Sequence, residues 1–147
     1  MPKKKPARRT PAKKPRKQPE SLRFASVAPS FTVNDLSRSL TWYRDVIGFQ
    51  MGDKWERDGK LEGAELKAGT VVFILNQDDF SKGRDRVKGE GFRLYCRTRQ
   101  DINALAAAIK ARGGALASEP TDRPWGTRDF SLTDPDGYRF SITTMGS

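Results

Sequence analysis

DLSRSLTWYRDVIGF, residues 35–49, fixes the reading of the chain. Leu36, Leu40, Tyr43 and Ile47 recur at helical spacing and form one apolar stripe. Asn34 or Asp35 can cap the start, and Gly48 supplies the stop. Upstream, SLRFASVAPSFTV (21–33) is rich in β-formers and reads as a strand, with Pro29 at an edge or irregularity. Downstream, three further strands are expected near 49–57, 62–68 and 70–76, divided by the turn signals Asp58-Gly59 and Gly69. A polar linker, 77–91, follows.

The same order then returns. GFRLYCRT (91–98) reads as a strand and 101–112 as a helix with Ile102, Leu105, Ala106 and Ile109 inward. Thr98 with Asp101 makes a start resembling a capping box, and Gly113-Gly114 ends the helix. Strands near 115–118, 127–133 and 138–144 complete the unit, with a turn at Asp134-Pro135-Asp136-Gly137. An offset of 66 lays Asp35 on Asp101, Leu36 on Ile102, Tyr43 on Ile109 and Gly48 on Gly114. The fold class expected is α+β, with two tandem βαβββ modules whose mixed sheets curl into a cup and carry the helices outside.

Charge divides the chain differently. Residues 1–20 hold nine Lys/Arg against Glu20 alone, leaving nineteen basic and seventeen acidic residues, a net of +2, for the remainder. With five prolines and little to bury, this stretch is expected to be disordered. The domain boundaries follow as a basic tail, 1–22, and a folded domain, 23–147. The tail can condense nonspecifically on nucleic acid, although no aromatic residue interleaves its charges to add stacking.

The histidine count is zero, which excludes histidine-based catalysis and histidine-coordinated metal. The lone cysteine, Cys96, excludes an intrachain disulfide, and no apolar run is long enough to span a membrane. A soluble, cytoplasmic protein is expected.

Two stretches, DLSRSLTWYRDVIGF (35–49) and DPDGYRFSI (134–142), resemble the first-helix and last-hairpin signatures of the vicinal oxygen chelate superfamily. That superfamily includes glyoxalase I, extradiol dioxygenases and bleomycin-resistance proteins. The resemblance covers residues 25–144 and implies a cup into which four strands project metal ligands. Here the four implied ligand positions hold Ala28, Phe73, Phe92 and Ser141, of which only the serine hydroxyl is even a weak donor. The expectation is therefore the metal-free branch: a small-molecule-binding protein, for drug or metabolite sequestration, with no metal and no cofactor, binding being favoured over catalysis and catalysis left open. Phe73 and Phe92 would form the cup floor, with Leu94, Cys96 and Ser141 beside them; the competing reading is plain core packing. Trp125 and Trp55 would border the mouth as ligand wall or dimer contact, and Cys96 reads equally as an inert buried thiol.

The family resemblance also implies a homodimer whose modules complete one another's cups. A lyase or isomerase of the same fold, using a carboxylate such as Glu65 or Asp53 as a lone base or else an organic cofactor, is the enzyme alternative. Arg93, Arg97, Arg128 and Arg139 are ordinary surface charges unless two of them flank the cup, in which case the ligand is anionic.

Overall fold

A computed structural model describes residues 21–145; the basic tail, residues 1–20, lies outside them. Two modules follow each other. The first runs β1 (Ser30–Val33), α1 (Leu36–Thr41, continued by a π-helical turn, Trp42–Ile47), β2 (Gln50–Arg57), β3 (Lys60–Ala68) and β4 (Val71–Gln77). The second runs β5 (Leu94–Thr98), α2 (Ile102–Ala111), β6 (Ser118–Asp122), β7 (Arg128–Thr133) and β8 (Arg139–Thr144). Each makes a four-stranded mixed sheet, ordered β1-β4-β3-β2 and β5-β8-β7-β6, so the internal repeat is topological as well as sequential.

Local chemistry explains most boundaries. Asp35 and Asp101 both cap their helices, accepting hydrogen bonds from the Arg38 and Ala104 amides at 3.1 and 2.9 Å. Thr98 takes no part in the second cap; its hydroxyl accepts from the Gln100 amide instead. Gly48, at φ 109°, ends the first helix in the left-handed region that its missing Cβ permits. Asp58 and Gly59, both at positive φ, form the tight turn between β2 and β3.

Two strand expectations need correction. Only Ser30–Val33 of the 21–33 stretch is a strand, because the parallel ladder to β4 begins at Ser30↔Ile74. Leu22, Phe24 and Val27 before it are exposed, with no sheet to pair against. The strand expected near 115–118 lies instead at Ser118–Asp122, on the free edge of its sheet, where the missing amide of Pro120 costs no ladder bond.

One face of each sheet and both helices enclose a shared core. Phe31, Tyr43, Phe73 and Phe140 are each no more than 2% exposed. Tyr43, at the start of the π-helical turn, stacks on Phe140 from the second module and meets Phe73 from the first edge-on. Its hydroxyl donates to Asp134 at 2.8 Å.

Asp136 accepts from the Asn34 amide and the Ser39 hydroxyl, and the Tyr138 hydroxyl donates to the Thr32 carbonyl. The two stretches that carried the family resemblance are therefore partners in one joint between the modules. The 78–93 connection is pinned to the same joint. Asp78 receives Lys88 at 2.8 Å and Arg86 at 3.2 Å, and Lys88 also donates to Asn34. Asp78 is held below its ordinary pKa chiefly by Lys88. Among the described residues, no helix is long and apolar enough to cross a membrane.

Candidate functional site

Strand alternation leaves the second face of each sheet uncovered by the helices. On the first sheet this open face carries Glu65 and Ile74, paired across β3 and β4, with Gly63 and Asn76 one step along the same register. Trp55 pairs with Gly63, and its indole lies flat over the glycine; a Cβ there would come within 2.2 Å of the ring. Asn76 donates to the Ser30 hydroxyl at 2.7 Å, and Glu65 receives the Asp53 amide at 3.4 Å.

The open face of the second sheet holds a groove of about 580 Å³. Its floor is polar. Ser141 and Ser131 pair across β7 and β8, and the Ser118 and Ser131 hydroxyls lie 2.7 Å apart. Arg93 donates to Ser141 at 3.1 Å, while Arg123 makes two bonds to one oxygen of the buried Asp129. Arg139 also lines the groove, and Tyr95 and Trp125 stand at it, 58% and 67% exposed. Such a surface can orient a polar ligand through hydroxyls and guanidinium forks and stack it against aromatic rings.

The residues expected to make the cup are divided by this geometry. Ser141 and Trp125 line the second-sheet groove, and Trp55 lies on the open face of the first sheet. Phe73 faces the helices and is 1% exposed, ringed by Phe31, Phe49 and Phe140. Leu94 and Cys96 pair with Phe140 and Ile142 and face the same core. Phe92 precedes β5 and packs against Phe31 and Tyr138 at the joint. The expected floor of Phe73 and Phe92 is thus displaced. The neighbours one residue along, Ile74 and Arg93, reach the open faces, since a shift of one residue in a strand reverses its side.

Sequence reasoning missed Arg123, Ser118, Ser131 and Tyr95 as groove residues. The polar phases of RLYCR (93–97) and RDFSLT (128–133) were the available signal for Tyr95 and Ser131; nothing comparable marks Ser118 or Arg123.

Burial raises the Cys96 pKa to about 11. Its alkylation by iodoacetamide at pH 8 should accordingly run roughly tenfold or more slower than that of free cysteine, whose pKa is about 8.5. A rate near that of free cysteine would show an exposed, activated thiol.

Metal-dependent relatives in this fold need a donor set. Ala28 is exposed and Phe73 is core, Phe92 lacks a donor, and Ser141 is engaged by Arg93. Among the described residues, no three His, Cys, Asp or Glu side chains converge to hold an ion. The residues present do not fit the family's metal.

Two repeated βαβββ modules, each with one open sheet face, define the α+β class of the chain. The chain belongs to the Glyoxalase/Bleomycin resistance protein/Dioxygenase superfamily, whose profile matches residues 23–142. It is 28% identical over 132 residues to a lactoylglutathione lyase of Arabidopsis thaliana, an alignment covering 86% of this chain and 46% of that protein. The chain thus spans about half the length of that curated relative. A probable lactoylglutathione lyase of Vibrio cholerae is 30% identical over 122 residues, covering 75% of this chain and 83% of the relative. Among solved structures, TnmS3, an antibiotic binding protein from a Streptomyces, superposes with a TM-score of 0.64 at 21% identity, over 86% of this chain and all of that one. TioX from a Micromonospora gives 0.65 at 18% identity, over 82% and 98%. The structural likenesses establish the fold.

Proposed function

We propose that this chain is a small-molecule-binding protein that works without a bound metal and sequesters a drug or metabolite in the groove over its second sheet. The observation that carries the reading is the groove itself, a concave polar surface with two exposed aromatic residues, on a chain containing no histidine. Pockets of a few hundred Å³ with a few convergent polar groups are the usual form of ligand sites. The likeness to TnmS3, an antibiotic binding protein, is in keeping with it.

Two copies are proposed to assemble head to tail, so that the first sheet of one and the second sheet of the other close a cup. Each chain alone leaves a face of both sheets uncovered, and two-fold dimers are the commonest closed assembly.

Native mass spectrometry and elemental analysis of protein purified from its own cells test the reading together. The expected result is a dimer retaining a small organic molecule, with no stoichiometric transition metal. One tightly held metal per chain would overturn the metal-free reading. The names of the curated relatives favour the second reading, an enzyme of the same fold. Lactoylglutathione formation that disappears in Glu65→Gln would establish that reading instead. Association with nucleic acid through residues 1–20 rests on tail charge alone.

A further inference from the structure

We propose that the second-sheet groove selects flat aromatic acids, with a carboxylate seated between Arg93 and Arg139 beside Ser141. The proposal rests on the reading of this groove as the ligand site and narrows what the groove takes.

The register supplies the argument. Leu94 pairs with Phe140 and Tyr95 with Ser141 in the parallel ladder of β5 and β8. One residue earlier on each chain segment, Arg93 comes alongside Arg139, and both line the groove. Neighbouring strands run about 4.8 Å apart, and like charges set side by side across them destabilise the sheet.

The other arginines of this sheet's β6–β7 end are matched: Arg123 pairs with Asp129 at 2.8 Å and Arg128 with Asp122 at 3.0 Å. Neither Arg93 nor Arg139 has a carboxylate partner among the described residues; Arg93 reaches only the Ser141 hydroxyl. Asp129, the groove's acidic residue, is already engaged by Arg123 and leaves the field at Arg93 and Arg139 positive.

Two unmatched guanidinium groups lining one groove each present N–H donors in the fork that a carboxylate accepts. Ser141 is 4% exposed and accepts from Arg93, which leaves its own hydroxyl proton available to a further acceptor. The aromatic half of the inference comes from Tyr95 and Trp125. Rings this exposed beside a concavity form walls against which a planar ligand stacks.

The test titrates 2-naphthoate and its methyl ester, by tryptophan fluorescence and calorimetry, against the full chain and three variants. The acid should bind the wild type at least tenfold more tightly than the ester. Arg93→Gln and Arg139→Gln should each weaken the acid tenfold or more and leave the ester unchanged, with melting temperatures equal to or slightly above wild type, because both side chains are exposed and each change removes one of two adjacent like charges. Trp125→Ala should weaken acid and ester together.

Equal affinity for acid and ester, or indifference of the acid to both arginine variants, overturns the acid selectivity while the Trp125 effect keeps the groove reading intact. Inorganic phosphate displacing naphthoate at equal concentration overturns the aromatic part. Absence of binding by either probe, or binding indifferent to all three variants, defeats the groove reading and the proposal with it.

Discussion

Replacing Phe73 by alanine should lower the free energy of unfolding by about 3–5 kcal/mol, measured by urea denaturation. Phe73 is almost wholly enclosed, with ring centroids 5.0 Å from Phe49, 5.6 Å from Phe31, 6.0 Å from Phe140 and 6.2 Å from Tyr43. These rings come from both modules, so the cavity would open where neither sheet alone can collapse to fill it. Phe73→Leu keeps most of the apolar volume and should cost only about 1 kcal/mol. Neither variant should alter affinity at the second-sheet groove, because Phe73 faces away from the open sheet faces. A loss below about 1 kcal/mol for the alanine variant would show that Phe73 is not packed as described.

Asp134→Ala should be as damaging, again about 3–5 kcal/mol, for a different reason. The side chain is 4% exposed in its residue's surface and accepts three hydrogen bonds, from the Tyr43 hydroxyl and the amides of Asp136 and Tyr138. Removing it strands three donors at about 1–3 kcal/mol each, partly relieved where water enters. Asp134→Asn retains the shape and an acceptor and should cost much less.

The two variants also separate by pH. Burial raises the Asp134 pKa, despite the hydrogen bonds that oppose the shift. A carboxyl whose folded value is raised contributes stability that is complete below the ordinary carboxylate range, near pH 4, and is lost as pH rises through the folded value. Wild type should therefore gain on Asp134→Asn as pH falls from neutrality toward 4. A gap that moves the other way would mean that the hydrogen bonds outweigh burial at this site. The Tyr43 phenol is likewise pushed upward, by burial first and then by Asp134, and remains a donor throughout.

The elements that could be read from sequence are those governed by short-range rules. The 35–49 helix and the Asp58-Gly59 turn each depend on a cap, a positive φ or a period contained in about fifteen residues, and the repeat shows because the same local signals return 66 residues on. The faces of the strands were harder. VVFIL (71–75) is apolar in both phases, so nothing local distinguishes Phe73, which is core, from Ile74, which faces outward.

In the second module the information was present. RLYCR alternates Arg93, Tyr95 and Arg97 with Leu94 and Cys96, and RFSITT alternates Arg139, Ser141 and Thr143 with Phe140 and Ile142. The expectation of an apolar cup followed the apolar phase, which in the structure faces the helices and the core. Apolar side chains are drawn to whichever face the helices cover, and the open face retains the polar set. The strand at 21–29 failed for want of a partner: β-forming residues make a strand only where a ladder receives them, and here it begins at Ser30.

The joint made by Asn34, Ser39, Tyr43, Asp134 and Asp136 has a consequence for the chain as a hereditary unit. Each repeated half carries one side of a lock whose other side is encoded about a hundred residues away. A half translated alone would present buried-type donors and acceptors, and a bare aromatic face, to water. The two halves are therefore not interchangeable: a second copy of either would lack the partners that the other supplies to the lock. The 78–93 connection is anchored at Asp78, Lys88 and Phe92, and its exposed stretch 81–85 between those anchors is the place where the chain can be cut, or lengthened, with both halves still held together.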